Sequence, residues 1–512
     1  MYDAFHPVFF TSHTQCKRYH PLIEYNCLVN LRGGYLMITF FIAMALLIVG
    51  FLTYGVLVEK VFRPDDRLTP ASELADGVDF VPMKTWRIFL VQLLNIAGLG
   101  PIFGAIAGAL WGPVVFLWIV FGTIFAGAVH DFLSGMISIR HKGASISEIV
   151  GIYLGPQMKM IMRVFSVVLL VLVGTVFMTG PAGLLARLTP DIMTRNVWLV
   201  IVLVYYFLAT ILPVDKLIGR IYPLFGAALL IMAVGIAGGM IVQGVPMAEL
   251  SFENMHPANL PIWPLMFITV ACGAISGFHA TQSPMMARCM TSEKHGRTIF
   301  YGAMVAEGMI ALVWAAAGVA FYQTTGGLAS ALAEFGGQAG VVYDISFKLL
   351  GPIGGVLAMV GVIACPITSG DTAFRSARLT LADWFGFEQK SKGKRLLLAF
   401  PLLGVGALLS TMDFNIVWRY FSWSNQTLAM IALWAGAMYL VKQGAKHWIA
   451  TVPATFMSAV SMTYILQAPE GFRLPTTISY PVGIVFAIGC LGLFLYKSGV
   501  FSVKPVVATN TN

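Results

Sequence analysis

Glycines and a proline interrupt an apolar segment that is otherwise long enough to cross a membrane. The segment covers about residues 86–112, and its centre, residues 95–104, reads NIAGLGPIFG. Lipid offers no hydrogen-bond partners, so backbone can leave a helix at membrane depth only where it is buried in protein or lines a wet cavity. A second apolar segment, about 261–290, has a similar interruption that reads CGAISGFHATQ at residues 272–282. Two interrupted spans in corresponding places of two halves indicate the binding site of a secondary transporter.

The composition is that of an integral membrane protein. Of the 512 residues, 58% are hydrophobic and 11% are charged, and the mean hydropathy is +0.81, whereas soluble domains carry roughly 25% charged residues. We attribute the net charge of +9 to lysine and arginine in cytoplasmic loops rather than to nucleic-acid binding. The six cysteines show no CxxC or metal-ligand spacing, so we expect no disulfide framework, no metal site and no cofactor.

Thirteen apolar segments are candidates for membrane-spanning helices, each of which needs about 20 residues. They lie near 38–58, 86–112, 113–137, 158–182, 197–213, 217–243, 261–290, 298–322, 352–380, 396–412, 422–441, 448–467 and 478–497. Over alternate connections, 24 of the 32 lysines and arginines fall on one side and 5 on the other. Because basic residues stay on the cytoplasmic side, this asymmetry predicts an external N-terminus and a cytoplasmic C-terminus.

Two sets of five helices follow the first span, and an interrupted segment leads each set. Because five is odd, the second set enters the membrane from the opposite side, which gives an inverted-topology repeat. The predicted organisation is a first repeat at 86–243 and a second at 244–446, with an extra helix and loop at 37–85 and two C-terminal helices and a tail at 447–512. The first 36 residues are polar and lack a helical period. We therefore expect a native start at Met37 and treat 1–36 as a non-native or disordered extension.

The two interruptions supply the candidate substrate-binding residues. Glycine lets the chain leave helical geometry, and the free N–H groups at the start of the next half-helix suit a carboxylate. The candidates are Asn95, Gly98, Gly100, Ser276, Gly277, His279 and Gln282. The alternatives are a packing kink with close helix contact at the glycines and, for His279, a neutral ring bonded to a carbonyl.

Ionisable and hydroxyl side chains within the spans are candidates for ion coupling, because such groups are costly in lipid and usually line a pathway. They are His130, Asp131, Glu307, Thr368, Ser369 and Asp371. Snorkelling at a helix end is an alternative for His130 and Asp131. Asp371 and Arg375 are spaced i,i+4 and can pair on one helix face, which offers the alternative that they only close the cytoplasmic end of the helix. The polar patch at 421–427 could line a cavity or belong to an interfacial belt, and we favour the cavity.

Five stretches resemble the carbon starvation protein A (CstA) family. They are VQLLNIAGLGPI at 91–102, FAGAVHD at 125–131, CGAISGFHA at 272–280, ITSGDTAFRSAR at 367–378 and RYFSWSNQ at 419–426. The resemblance runs from about Met37 to the last span. It implies a bacterial inner-membrane nutrient transporter with a leucine-transporter-like inverted repeat of five plus five helices. Family members are described as peptide uptake systems induced on carbon starvation or as proton-coupled pyruvate permeases, and the fold implies that Thr368 and Ser369 occupy the place of a sodium-binding Thr–Ser pair.

Together these patterns predict a secondary active symporter for a small carboxylate, either pyruvate or short peptides. Spans two, three, seven and eight are expected to rock against the rest, with coupling to H⁺ favoured over Na⁺. Lipid is the expected surrounding partner. The rival hypotheses are a substrate-gated channel or membrane nutrient sensor, and a membrane enzyme acting on lipids. The sequence shows no phosphate-binding loop and no nucleophile–base motif.

Overall fold

A helix or a pair of half-helices coincides with each of the thirteen predicted spans. The computed structural model describes residues 37–77, 80–211, 222–247, 249–387 and 392–500, so the prediction for 1–36 lies outside the described residues. The helices are α1 (Ile38–Phe62), α2a (Thr85–Ala97), α2b (Gly100–Trp111), α3 (Val115–Arg140), α4 (Pro156–Leu188), α5 (Arg195–Ile211), α6 (Tyr222–Val242), α7a (262–269), α7b (Gly277–Ala287), α8 (Glu293–Phe321), α9 (Gln338–Phe385), α10 (Lys392–Leu409), α11 (Phe414–Lys442), α12 (Trp448–Gln467) and α13 (Thr476–Ser498). Short helices at Pro70–Glu73, Ile146–Leu154 and Thr325–Glu334 lie in the connections.

Eight helices in the described part of the chain are individually long and apolar enough to cross a membrane, or nine if α2a and α2b count as one span. The predicted helices that fall outside this set have evident reasons. α5 has 17 residues, and α7 is broken. α10 has 18 residues and begins with three basic residues, Lys392, Lys394 and Arg395. α11 carries a polar run that includes Asn425 and Gln426. The number of thirteen crossings, and the domain boundaries built on it, stay predictions.

Both interrupted spans are broken in the structure as the glycine pattern predicts. α2a ends at Ala97, Gly98 takes a φ of 44°, and α2b continues at an angle of 54°. α7a ends at 269 and α7b begins at Gly277, with Gly273 at a φ of 92° between them. Positive φ is cheap for glycine alone, so the sequence sets the positions at which each helix stops.

The two breaks touch each other at the centre of the molecule. A Cβ atom on Gly100 would lie 1.9 Å from Cβ of Cys272, and one on Gly273 would lie 3.5 Å from Cα of Pro101. Gly100 therefore also permits an approach of the two segments that a residue with a Cβ atom would block. This confirms the expectation that the two interrupted segments meet.

The helices that flank the breaks form the core of the fold. α4 packs along α9, while α7b packs on α2a and α3, and α8 packs on α2b. The most apolar windows of α3 and α8 are 83% buried, against 28% for α1 and 22% for α13. α12 and α13 pack on each other and α12 also packs on α11, so the extra helices lie at the periphery.

Gly100→Ala should lower the melting temperature of the detergent-solubilised protein, because the added methyl group overlaps Cys272. Overpacking of this kind costs about 1–3 kcal/mol. Gly404→Ala in α10 is the matched control, since a Cβ there meets nothing within 4 Å, and it should melt at or above the wild-type temperature. Equal melting of the two variants would show that the breaks do not pack as described.

Candidate functional site

Four ionisable side chains from α3, α7b and α8 meet beside the breaks. Nδ1 of His130 lies 2.8 Å from Oδ1 of Asp131, and Nδ1 of His279 lies 2.9 Å from Oδ2 of the same carboxylate. Nε2 of His279 lies 3.4 Å from Oε2 of Glu307. All four side chains are fully buried. The fold thus joins a residue predicted to bind substrate, His279, to three predicted to couple an ion, and we call these four residues the central cluster.

The hydrogen bonds of the central cluster constrain where protons sit. An ionised carboxylate only accepts hydrogen bonds, so each histidine donates its Nδ1–H to Asp131. A neutral His279 then directs the lone pair of Nε2 at the Glu307 carboxylate. Neither that nitrogen nor either Glu307 oxygen has a hydrogen-bond partner among the described residues. Two buried acceptors at this distance require a proton or another cation between them.

Two buried amide side chains at the first break lack some or all of their hydrogen-bond partners. Asn95 is fully buried, and neither atom of its amide has a hydrogen-bond partner in the described part of the chain. One turn earlier, Gln92 donates to Ser283 on α7b at 3.3 Å, while its own oxygen has no described partner. Buried amides without partners are costly. Asn95 and Gln92 are therefore the side chains best placed to receive a polar ligand.

The second break is capped by a residue on α11. Oδ1 of Asn425 accepts from the Phe278 N–H at 2.7 Å and from the Ser276 hydroxyl at 3.1 Å. A Cβ on Gly277 would lie 2.3 Å from the Asn425 carbonyl oxygen. At Gly100 and Gly277 the structure thus shows the close packing that the alternative interpretation described, and Asn425 holds part of the predicted carboxylate-binding helix end.

The remaining sequence-predicted residues lie on or against α9. Ser369 donates to the Leu94 carbonyl at 2.7 Å, and Thr368 donates to its own helix at the Cys365 carbonyl. Gln282 donates to Ser376 at 3.3 Å, which links α7b to α9. All of these residues are buried.

Asp371 belongs to a separate polar group on α9. It accepts from the Tyr222 hydroxyl at 2.9 Å and lies 3.8 Å from Arg375, which is the predicted i,i+4 pair. Arg375 also donates to the Ala209 carbonyl in the last described turn of α5, where a cation is favoured by the helix dipole. This pair therefore joins α9 to α5 and α6, away from the hydrogen bonds described for the central cluster.

The site contains three residues that the list of candidates from the sequence does not include: Gln92, Cys272 and Asn425. Cys272 has no metal-ligand spacing along the chain, yet its sulfur, a ring nitrogen of His279 and a Glu307 oxygen lie within 4.8 Å of one another. These three groups could hold a metal ion. Asn425 lies in the polar patch at 421–427. Only its position on the face of α11 that packs against α7b identifies it as the residue that caps α7b.

Cavities of different size approach the breaks from the two ends of the bundle. A cavity of about 950 Å³ reaches Phe103 and Gly180 next to the first break and is lined at its mouth by Arg187 and Arg195. A neighbouring cavity of about 370 Å³ reaches Thr269 at the end of α7a. At the opposite end, the described cavity between α7b and α9 measures only about 40 Å³.

A buried ion pair ties the closed end together. Arg140, at the end of α3, donates to both oxygens of the fully buried Glu293 at 3.1 and 3.0 Å. It also donates to the Tyr439 hydroxyl on α11 at 2.7 Å and lies 4.1 Å from the Phe62 ring centroid. A buried bidentate arginine–carboxylate pair holds its partners in a fixed geometry.

Comparison with known proteins supports one family and one fold. The sequence model of carbon starvation protein CstA matches residues 35–191, 188–345 and 337–464. A Haemophilus influenzae protein described as an uncharacterized membrane protein is 45% identical and aligns over 58% of this chain and 94% of its own length. The Escherichia coli peptide transporter CstA is 23% identical over 82% of this chain and 79% of its own length. The E. coli pyruvate/proton symporter BtsT is 27% identical over 50% of this chain and 45% of its own length.

Solved transporter structures share the fold at low identity. MhsT in complex with L-phenylalanine has a TM-score of 0.52 at 14% identity and covers 81% of this chain and 99% of its own. A manganese transporter from Eremococcus coleocola has a TM-score of 0.51 at 13% identity and covers 83% of this chain and 97% of its own. These similarities confirm the predicted all-helical, leucine-transporter-like fold.

Two buried asparagines should respond differently to the same substitution. Asn425→Ala leaves the Phe278 N–H and the Ser276 hydroxyl without their acceptor, and each unsatisfied buried group costs about 1–3 kcal/mol. Asn95→Ala removes an amide without described partners. We expect thermal unfolding in detergent to shift strongly downward for Asn425→Ala and little for Asn95→Ala. A larger loss for Asn95→Ala would contradict the described capping.

Proposed function

Because this chain belongs to the carbon starvation protein CstA family, we propose that it is a secondary active symporter that imports pyruvate or a short peptide together with a proton. The observation that carries this proposal is the central cluster, which lies beside the two contacting breaks and whose buried acceptors require a cation. The E. coli relatives are described as a peptide transporter and a pyruvate/proton symporter, so we set aside the hypothesis of a lipid-acting membrane enzyme.

The substrate carboxylate is proposed to bind at the first break, beside Gly98 and Gly100. The support is the unpartnered amide of Asn95 and the free oxygen of Gln92, together with the cavity that reaches Phe103 and Gly180. Ser276, Gly277 and Gln282 complete the proposed pocket from α7b. Since His279 is engaged by Asp131 and Glu307, we assign it to coupling rather than to substrate contact.

The coupling proton is proposed to reside between His279 and Glu307. A proton there converts two facing acceptors into a hydrogen bond and compensates buried negative charge. Its effect can reach the second break through α3, because this helix carries both Asp131 and Thr123, whose hydroxyl donates to the Gly273 carbonyl at 2.8 Å. Binding of the proton is thus proposed to shift the second break, which contacts the first break at Gly100.

Sodium is the less favoured coupling ion. A sodium ion near Thr368 and Ser369 would need the free carbonyl at the first break as a ligand. In the structure the Ser369 hydroxyl donates to the Leu94 carbonyl and the Thr368 hydroxyl donates to its own helix. These bonds use the hydroxyl hydrogens and leave the oxygen lone pairs free, so the preference for a proton rests on the buried acceptors of the central cluster.

Alternating access is the proposed transport cycle, in a bacterial inner membrane with the N-terminus outside and the C-terminus in the cytoplasm. In that orientation the 950 Å³ cavity faces outward, and its arginines attract anionic substrate. At the cytoplasmic end, the bond from Arg140 on α3 to the Tyr439 hydroxyl on α11 joins the rocking helices to the rest and is proposed to hold that end closed. A substrate-gated channel or sensor is the remaining alternative, and counterflow with saturation distinguishes a carrier from it.

Proteoliposomes that contain the purified protein should accumulate pyruvate, or a peptide from a broad panel, when given an inward proton gradient. Replacement of Na⁺ by a large organic cation should leave the rate unchanged. Folded protein that takes up no member of either substrate class under a gradient would refute the proposed function, and strict Na⁺ dependence would refute the coupling ion.

Glu307→Gln should separate transport from coupling. The amide keeps the shape of the side chain but cannot take up the proton, so accumulation should fall to equilibration while substrate exchange across the membrane persists. Glu334→Gln is the matched control, because Glu334 is exposed on a short helix, and it should accumulate substrate like the wild type. Proton-driven accumulation by Glu307→Gln would place the coupling proton elsewhere.

A further inference from the structure

We propose that Cys272, His279 and Glu307 form a binding site for one transition-metal dication with the ligand preference of zinc. The three side chains are buried, and their ligand atoms lie within 4.8 Å of one another. A tetrahedral zinc site with these ligand types has ligand atoms about 3.3–3.6 Å apart. Movement of about 1 Å would therefore bring the three protein ligands into place and leave the fourth position to a water molecule.

The donor atoms are free to bind a metal. Nε2 of His279 and both carboxylate oxygens of Glu307 have no hydrogen-bond partner among the described residues, although all are buried. These atoms already face each other at 3.4 Å. A dication placed among them would be bound by lone pairs of Nε2 and of the Glu307 carboxylate.

The surroundings of the three ligands resemble the support that metal sites require. Asp131 accepts the Nδ1–H of His279 at 2.9 Å, which fixes the ring with Nε2 as the metal-binding atom. A carboxylate behind a ligating histidine is a recurrent element of metal sites. Nδ2 of Asn425 lies 3.4 Å from the Cys272 sulfur, where its N–H stabilises a thiolate.

The mixture of ligands selects the class of metal. Sulfur and imidazole ligands favour zinc, cobalt and related transition metals, whereas magnesium and calcium prefer oxygen ligands only. A proton relay has no need of the Cys272 sulfur. This residue is therefore the part of the site that the proposed coupling role leaves unexplained.

Metal binding has a consequence for transport if the proposed function is correct. The metal uses the same nitrogen and oxygen atoms as the coupling proton, so the two exclude each other. Zinc should then inhibit proton-driven uptake by occupying the central cluster. This consequence rests on the proposed function, whereas the metal site itself rests only on the geometry.

Cobalt is the spectroscopic probe for the site. The full-length protein, carrying Cys16→Ser and Cys27→Ser and a tag without histidine, is purified from cells grown with Co²⁺. We expect one cobalt ion per chain by elemental analysis, with thiolate-to-cobalt charge-transfer absorption and the intense visible bands of tetrahedral cobalt. Folded protein without bound cobalt, or with cobalt that lacks the thiolate band, would overturn the site.

Three variants assign the ligands. Cys272→Ser should abolish the charge-transfer band, while Cys365→Ser, which changes another buried cysteine that contacts the Leu94 carbonyl, should leave it intact. Asp131→Asn should weaken cobalt binding by about 10- to 100-fold, as loss of a carboxylate behind a ligating histidine does. An unchanged band in Cys272→Ser would refute the proposal even if that variant binds cobalt.

Zinc inhibition is measured separately in proteoliposomes. Inhibition of the wild type, with at least tenfold weaker inhibition of Cys272→Ser, would support both the metal site and the coupling role. Cobalt bound to the three ligands without zinc inhibition would leave the metal site standing and would refute the placement of the coupling proton. Failure of the metal site and failure of the proposed coupling role therefore give different results.

Discussion

Satisfaction of the backbone at the two helix breaks is the constraint on which the rest of the structure depends. Breaking a helix at membrane depth frees N–H and C=O groups that lipid cannot satisfy, and side chains from three other helices take their place. Ser369 on α9 donates to the Leu94 carbonyl, Thr123 on α3 donates to the Gly273 carbonyl, and Asn425 on α11 accepts from the Phe278 N–H. Each break is therefore held by specific neighbours, and the polar motifs that look scattered along the sequence serve one common centre.

The same contacts explain why the central cluster lies where it does. Thr123 and Asp131 belong to α3, so the helix that supports the second break also carries the carboxylate that orients His279. Glu307 reaches the cluster from α8, which packs on α2b. A change of charge in the cluster thus acts on helices that already contact both breaks. The coupling that we propose needs no long pathway, because the ion site and the substrate site share their supporting helices.

The sequence predicts the fold well and the site only in part. Glycine and proline at 98–101 and glycine at 273 and 277 have local effects on the backbone, so both breaks could be located from the sequence, and the resemblance supplied the fold class. Cluster formation is different, because His130, His279 and Glu307 come from three helices whose rotations are set by packing. Spacing along the chain could not predict that Cys272 faces His279 across an unwound segment, nor that Asn425 caps α7b. Gly100 and Gly277 were predicted as ligand sites, yet in the structure each makes a close packing contact. A glycine in a sequence therefore does not show whether the backbone needs conformational freedom or a neighbour needs to approach closely.

The hydrogen bonds between the moving helices and the rest of the protein form an energy barrier to the proposed rocking motion. If α2, α3, α7 and α8 rock against the rest, the hydrogen bonds that cross this boundary must break and re-form. They include Ser369 to Leu94, Gln282 to Ser376 and the bonds of Asn425 to α7b, whereas every bond of the central cluster lies within the moving set. Each boundary bond is worth about 1 kcal/mol, but an unsatisfied buried partner costs more, so the motion has to exchange these bonds rather than simply lose them. A proton in the cluster changes the charge of the moving set alone, and it can therefore favour one arrangement of the boundary bonds over the other without itself crossing the boundary.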